Sequence, residues 1–160
     1  MLAVEDGRAH LFWIGNDTLK DEFNDFELTA KVLTTISSNS GIFFHTKYHQ
    51  SGWPKVALET QINSTHEDSH KTGSIYAIQD VRDDSPSIDG EWFDYSIRVM
   101  NNTITLSVDG VVVNEYVEPA ELNLPENKQH MRLGKGTIAI RRHYPKSKTY
   151  FKDIKLRILD

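Results

Sequence analysis

The chain has 160 residues and a mass of 18.3 kDa, which is enough for one domain with its own core and requires no metal or disulfide to hold it. Its 38% hydrophobic and 26% charged residues are typical of globular proteins, and no apolar run is long enough to span a bilayer. The net charge of −5 argues against a nucleic acid as the ligand, and the lack of cysteine excludes a thiolate metal site and a cysteine nucleophile.

Short segments of alternating apolar and polar residues recur along the chain, whereas no helical spacing of apolar residues is sustained over three turns. The clearest alternation covers residues 26–32 and 93–99, where one face of a strand would be dry and the other wet. Further strands are predicted at 41–45, 56–62, 74–78, 104–108, 111–113, 136–141 and 151–158. Short, evenly spaced strands predict an all-β antiparallel sandwich of two sheets.

Two hairpin turns are predicted in the second half of the chain. Asp109-Gly110 separates two apolar strands and tolerates a positive φ at both positions, as a two-residue hairpin turn requires. Asn101-Asn102 closes the preceding hairpin in a similar way.

The predicted strand 56–62 carries two polar side chains on one face. Leu58 and Thr60 alternate with Glu59 and Gln61, so the carboxylate and the amide lie on the same side, about 7 Å apart along the strand. Such a pair can form the polar floor of a binding site. The alternative is that this face is the water-covered outside of the sandwich.

Several histidines have spacings that suggest a metal site. His66-Glu67-Asp68-Ser69-His70 matches the H-E-x-x-H pattern of zinc metalloproteases, but that chemistry needs both imidazoles on one helix. Turn-forming residues on both sides of the motif predict a loop instead. His45 and His49 are also four residues apart, which on a strand separates them by about 13 Å, too far to share one ion.

The segment Gly52-Trp53-Pro54 presents an indole from a predicted turn. An aromatic face in a loop can stack on a sugar ring, or it can cap the core. No nucleophile elbow, phosphate-binding glycine loop or dinucleotide fingerprint is present, so acyl-transfer and nucleotide chemistry are disfavoured.

An ordered series of short motifs resembles the 3-keto-disaccharide hydrolase domain family, which is found mainly in bacteria. The likeness extends from about Val4 to Ile154, nearly the whole chain. The motifs are Asn39-Ser40-Gly41-Ile42-Phe43, Gly52-Trp53-Pro54, Glu59-Thr60-Gln61-Ile62, His70-Lys71-Thr72-Gly73, Gly90-Glu91-Trp92 and Val108-Asp109-Gly110.

The resemblance implies a concanavalin-like jelly roll with carbohydrate bound on its concave face. It implies a single domain over residues 1–160 that is shortened at its N-terminus, because the family's opening Phe-x-Gly and Trp segment is absent. It also implies a periplasmic or secreted protein, although residues 1–7 do not read as a signal peptide. The polar site of the family corresponds here to Glu59, Gln61, His70, Lys71 and His143.

Enzymes similar to this chain act on glycosides whose C3 hydroxyl is already a ketone. The ketone acidifies the C2 proton, and its removal by a base leads to expulsion of the C1 aglycone. We expect Glu59 or His70 to be the base and Lys71 to stabilise the developing oxyanion, with a divalent ion held by histidines and Glu59 as an alternative electrophile. The residues expected to contact substrate are Gln61, Trp53, His45, Tyr76, Arg141 and His143.

Two other functions remain open at this stage. The chain could be a non-catalytic carbohydrate-binding domain, which the implied fold and Trp53 both favour. It could also be an ordinary glycosidase, which needs two carboxylates about 5 to 9 Å apart. The sequence nominates no second acid to face Glu59.

Overall fold

The computed structural model describes residues 9–18, 21–54, 57–81, 84–143 and 148–159. Nine strands lie in this part of the chain. They are β1 (Ala9–Phe12), β2 (Phe26–Thr34), β3 (Ser40–Thr46), β4 (Leu58–Ile62), β5 (Trp92–Met100), β6 (Thr103–Val108), β7 (Val111–Val117), β8 (Thr137–Arg142) and β9 (Thr149–Ile158).

The strands form two antiparallel sheets. One has four strands in the order β1-β8-β3-β4, and the other has five in the order β7-β6-β5-β2-β9. The only helical turn in the described ranges is a 3₁₀ turn at Glu126–Lys128. None of the helices described there is long and apolar enough to cross a membrane. The predicted all-β sandwich of two antiparallel sheets is therefore confirmed.

The core lies between the sheets and follows the alternation in the sequence. Phe26 and Leu28 on β2, with Phe93 and Ile97 on β5, are buried, while the residues between them face outward or lie at the margin. Each large apolar side chain removed from water contributes about 1.5 to 3 kcal/mol. Both strands therefore have one face that must pack against the opposite sheet.

The predicted hairpin turns are confirmed. Asp109 has a φ of 49° and Gly110 a φ of 77°, and they join β6 to β7. Asn101 has a φ of 56° in the turn between β5 and β6. These turns hold the three strands in register.

A hydroxyl pair between the sheets fixes which face of β4 points outward. The buried Tyr95 of β5 forms a hydrogen bond with the hydroxyl of Thr60 on β4. Burial also raises the pKa of the Tyr95 phenol, so the phenol stays neutral. Because Thr60 points into the core, its neighbours Glu59 and Gln61 lie on the other face of the four-stranded sheet.

A β-bulge buries His45, one of the residues predicted to contact substrate. The register of β3 against β8 shifts between Phe44 and Thr46, and His45 has a φ of 54°. Its ring is 2% exposed and packs edge-on against Phe26. His45 Nδ1 accepts a hydrogen bond from the Gly134 amide at 3.2 Å. His45, which was expected to contact substrate, is therefore buried away from the hollow.

Two further elements differ from the sequence prediction. The short edge strand β1 was not predicted, because four residues are too few to show a period. The segment 74–78 is a turn rather than a strand, and only Ile75 forms bridges, to Thr60 and to Gln79. Residue 56, at the start of a predicted strand, lies outside the described residues.

We expect Gly136→Ala to destabilise the protein while Gly134→Ala does not. A Cβ on Gly136 would collide with the backbone of His45 and Thr46, whereas a Cβ on Gly134 would have no heavy atom within 4 Å. Overpacking of this kind costs about 1 to 3 kcal/mol. Urea unfolding of both variants measures the difference, and equal free energies of unfolding would contradict the close approach.

Candidate functional site

The four-stranded sheet carries two rows of side chains on the face away from the core. The rows follow directly from the register of its strands, and each crosses all four of them. One row is Phe12, Ala139, Phe43 and Glu59, and the other is His10, Arg141, Gly41 and Gln61.

Gly41 leaves the space for an ion pair between the side chains of Glu59 and Arg141. Glu59 on β4 forms an ion pair with Arg141 on β8, and β3 lies between the two strands. A Cβ on Gly41 would collide with the carboxylate of Glu59 and would approach the carbonyl of Thr60 to 3.0 Å. The glycine of the Asn-Ser-Gly-Ile-Phe motif is therefore required by this ion pair.

The carboxyl of Glu59 is buried, with 5% of the residue exposed. Burial raises the pKa of Glu59 to about 7, against the opposing pull of the Arg141 guanidinium, and the negative charge of Asp68 raises it further. Glu59 therefore changes protonation state near neutral pH.

Asn39, just before β3, holds the polar side chains of this face in place. Its Oδ1 accepts hydrogen bonds from Arg141 Nη2 at 2.5 Å and from Gln61 Nε2 at 3.1 Å. Its Nδ2 lies 3.4 Å from Nδ1 of His66. Asn39 thus connects three elements of the site: β4, β8 and the loop that follows β4.

That loop contains the His66 to His70 motif and has no helical turn. Asn63 Nδ2 donates to the carbonyl oxygens of Asp68 and His70, each at 2.9 Å. Asn63 Oδ1 accepts from the His66 amide at 2.9 Å. The predicted loop is confirmed, and the helix that a zinc protease motif needs is absent from this segment.

Asp68 and His70 form a tight pair within the loop. His70 Nδ1 donates to Asp68 Oδ1 at 2.6 Å, and the His70 amide donates to the same oxygen at 3.0 Å. Nε2 of His70 lies 3.4 Å from Oδ1 of Asp80, and the His70 and Tyr76 ring centroids are 4.6 Å apart. Burial raises the pKa of Asp68, but the hydrogen bonds from His70 and Asn39 outweigh this and lower it overall.

A cavity of about 230 Å³, which we call the hollow, opens on this face. Its lining joins β8 to three separate loops. The lining residues are Trp53, Asp68, Tyr76, Arg141 and His143. Four of them were expected to contact substrate, and the structure brings those four together.

The remaining predicted residues lie outside the lining. Glu59 and Gln61 are buried beside the hollow. Glu59 contacts the lining residue Arg141 directly, and Gln61 is linked to Arg141 through Asn39. His70 contacts the lining through Asp68 and Tyr76. Lys71 donates from Nζ to the His66 carbonyl at 2.7 Å.

The structure adds Asp68 and Asn39 to the residues found from sequence. Asp68 occupies a variable position of the H-E-x-x-H pattern, so the pattern predicts no role for its side chain. Its signal was the spacing Asp68-Ser69-His70, which lets an aspartate accept from the residue two positions later. Asn39 is the first residue of the Asn-Ser-Gly-Ile-Phe motif, and the sequence alone indicated no role for its side chain.

The described residues show no evident set of ligands for the divalent ion that the sequence analysis gave as an alternative electrophile. Within the described ranges, no group of three or more His, Asp or Glu side chains is arranged to hold a metal. The carboxylate of Glu59 is taken by Arg141, and both ring nitrogens of His70 face carboxylates. No step below depends on a metal.

Comparison with known proteins supports the resemblance. A family model described as a 3-keto-alpha-glucoside-1,2-lyase-like domain matches residues 5–157. No relative was found among proteins with curated descriptions.

Three solved structures illustrate the fold. A candidate glycosyl hydrolase from Parabacteroides distasonis is 24% identical, with 98% of this chain and 85% of that chain covered and a TM-score of 0.72. The carbohydrate-binding module CBM66 from Bacillus subtilis is 8% identical, with 94% and 82% covered and a TM-score of 0.61. Lactose-liganded congerin II is 10% identical, with 94% and 99% covered and a TM-score of 0.51. The TM-scores, over at least 94% of this chain, show that the three share its fold.

The stability of the wild-type protein should depend on pH through Glu59. Because its pKa is raised from 4.5 to about 7, the folded state holds a proton that the unfolded state releases, and stability falls as pH rises across this interval. We expect the wild type to lose about 3 kcal/mol relative to Glu59→Gln between pH 4 and pH 8, since one pKa unit corresponds to about 1.4 kcal/mol.

Urea unfolding at a series of pH values measures this difference. The exposed Glu121→Gln is the matched control, and its curve should run parallel to that of the wild type. Parallel curves for the wild type and Glu59→Gln would show that Glu59 does not titrate as the buried geometry requires.

Proposed function

Because the chain belongs to the family of 3-keto-alpha-glucoside-1,2-lyase-like domains, we propose that it binds a glycoside in the hollow and cleaves 3-keto glycosides. The proposed reaction removes the C2 proton and expels the C1 aglycone. The observation that carries the proposal is the hollow, where a carboxylate, a guanidinium, an imidazole and two aromatic rings surround one space of about 230 Å³. Polar groups and aromatic faces in one cleft suit a sugar.

Asp68 is the proposed base. Of the five residues that line the hollow, it is the one with a carboxylate. It would take the C2 proton, and the electrons of the C–H bond would move into an enolate at C3. The enolate then forms a double bond between C1 and C2, and the C1–O bond breaks. The departing oxygen keeps the bonding pair and takes a proton, so the products are an alcohol and an unsaturated 3-keto sugar.

Three residues support this step: Arg141 lies in the lining, and His70 and Glu59 lie behind it. Arg141 lines the hollow and offers N–H groups to the enolate oxygen, a part that sequence reasoning gave to Lys71. His70 holds the Asp68 carboxylate by two hydrogen bonds and is a positioning residue. Glu59, which the sequence offered as a base, is a positioning residue for Arg141.

A non-catalytic carbohydrate-binding domain is the second candidate. Trp53 is 40% exposed at the rim of the hollow and presents an aromatic surface to a ligand. CBM66 and lactose-liganded congerin II share the fold and are, by their names, a carbohydrate-binding module and a protein with bound sugar. This candidate requires sugar binding in the hollow and no cleavage.

Substitution of Asp68 tests the proposed base. We expect Asp68→Asn to lower kcat on a 3-keto glucoside by a factor of about 100 or more, because general-base catalysis contributes on that scale. KM should change much less, since the amide keeps the shape of the carboxylate. Asp94→Asn, the same change on the outer face of the other sheet, is the matched control. Aglycone release, followed with and without a chelator, is the measurement.

The outcomes distinguish the candidate functions. A wild-type rate for Asp68→Asn would refute the assignment of the base. Saturable binding of native oligosaccharide, with no product from any 3-keto glycoside, would favour the binding domain. Release of sugar from a native glycoside would instead favour a glycosidase that uses Glu59 and Asp68 as its two carboxylates.

A further inference from the structure

The outer face of the four-stranded sheet carries a group of aromatic rings beyond the hollow. We call this group the aromatic platform and define it as Phe12, Phe43, Tyr48 and Trp53, of which Tyr48 and Trp53 are exposed, Phe12 is partly buried and Phe43 is buried. Phe12 on β1 and Phe43 on β3 both pair in register with Ala139 on β8, whose small side chain lies between them. Phe43 and Ala139 are buried and Phe12 packs against them, so this row is a small apolar cluster that supports the exposed rings of the aromatic platform.

Trp53 belongs to both the hollow and the aromatic platform. Its ring centroid is 5.5 Å from that of His143 and 5.7 Å from the Arg141 guanidinium, both of which line the hollow. On its other side it lies 5.4 Å from the ring of His10, which is itself 5.5 Å from the ring of Phe43. His10 also lies 6.2 Å from the ring of Phe12, so a series of ring contacts connects the hollow with the outer part of the aromatic platform.

The outer end of the aromatic platform is open to solvent. Tyr48 is 63% exposed, and its ring meets the ring of Phe12 edge-on at a centroid distance of 5.5 Å. Burial, with the nearby charge of Arg141, lowers the pKa of His10, so the imidazole beneath the aromatic platform is neutral at pH 7. The aromatic platform thus presents uncharged, largely aromatic surface.

We propose that the aromatic platform is the subsite for the leaving group and that it selects glycosides with an aryl aglycone. This inference rests on the proposed function, which places the sugar ring in the hollow. The charged groups lie around the hollow, whereas the exposed members of the aromatic platform, Trp53 and Tyr48, offer mainly ring carbon and little to the hydroxyl groups of a second sugar. An aryl ring can instead stack on Trp53 or meet Tyr48 edge-on.

Binding of unreacted glucosides tests the subsite independently of cleavage. Calorimetric titration should show that the wild-type protein binds phenyl glucoside more tightly than methyl glucoside of the same anomer. Tyr48→Ala should reduce this preference by a factor of about five to ten, the size of an aromatic pair contribution. Tyr48→Phe keeps the ring and should keep the preference.

Trp92→Ala removes an exposed aromatic side chain from the other sheet and is the matched control for Tyr48→Ala. It should leave the preference as in the wild type. Equal affinities of the wild type for phenyl and methyl glucoside, or no detectable binding of phenyl glucoside at millimolar concentration, would overturn the proposal. Tighter binding of a disaccharide than of phenyl glucoside would also overturn it, because the outer subsite would then be one for sugar.

Cleavage assays separate this inference from the proposed function. With 3-keto phenyl and methyl glucosides as substrates, each variant is compared with the wild type on the same substrate, so the different intrinsic reactivities of the leaving groups cancel. Tyr48→Ala should lower kcat/KM more for the phenyl substrate. If neither 3-keto glucoside is cleaved but the binding preference persists, the proposed function fails and the aryl subsite stands.

Discussion

The buried ion pair between Glu59 and Arg141 is the interaction on which the site depends. It connects β4 to β8 across β3, and it exists because Gly41 leaves room for the carboxylate. A buried charge left without its partner costs about 3 to 5 kcal/mol, so neither residue can be replaced without consequence for the other. Such a pair contributes little net stability compared with apolar packing. Its evident consequence is positional, since it holds a guanidinium at the wall of the hollow.

The core of the sandwich determines where this pair can form. Tyr95 and Thr60 bond across the space between the sheets, which commits the odd-numbered residues of β4 to the outer face. Asn63, directly after β4, then holds the loop that carries Asp68 by accepting from one amide and donating to two carbonyls. The position of Asp68 therefore follows from packing in the core through a short chain of hydrogen bonds.

Sequence periodicity was sufficient for most of the fold and for part of the site. Alternation placed Glu59 and Gln61 on one face because a strand has a strict period of two, and Asp109-Gly110 predicted its hairpin from the φ values that only such residues adopt easily. The burial of His45 could not be predicted in this way, because a bulge depends on how β3 pairs with β8, which is a property of two strands together. Asp68 has a local signal in its spacing from His70, but its bond with Asn39 and its place in the hollow come from the tertiary structure.

Each charged group on the wall of the hollow has a partner beside it. Arg141 contacts Glu59, and Asp68 is hydrogen-bonded to His70. The pKa values of the two carboxyl groups are shifted in opposite directions. Burial raises the pKa of Glu59, whereas hydrogen bonds from His70 and Asn39 outweigh burial and lower the pKa of Asp68. Although the chain has a net charge of −5, the hollow combines these partnered groups with aromatic rings. An uncharged glycoside suits such a site, because it gains hydrogen bonds and stacking there without having to neutralise a charge.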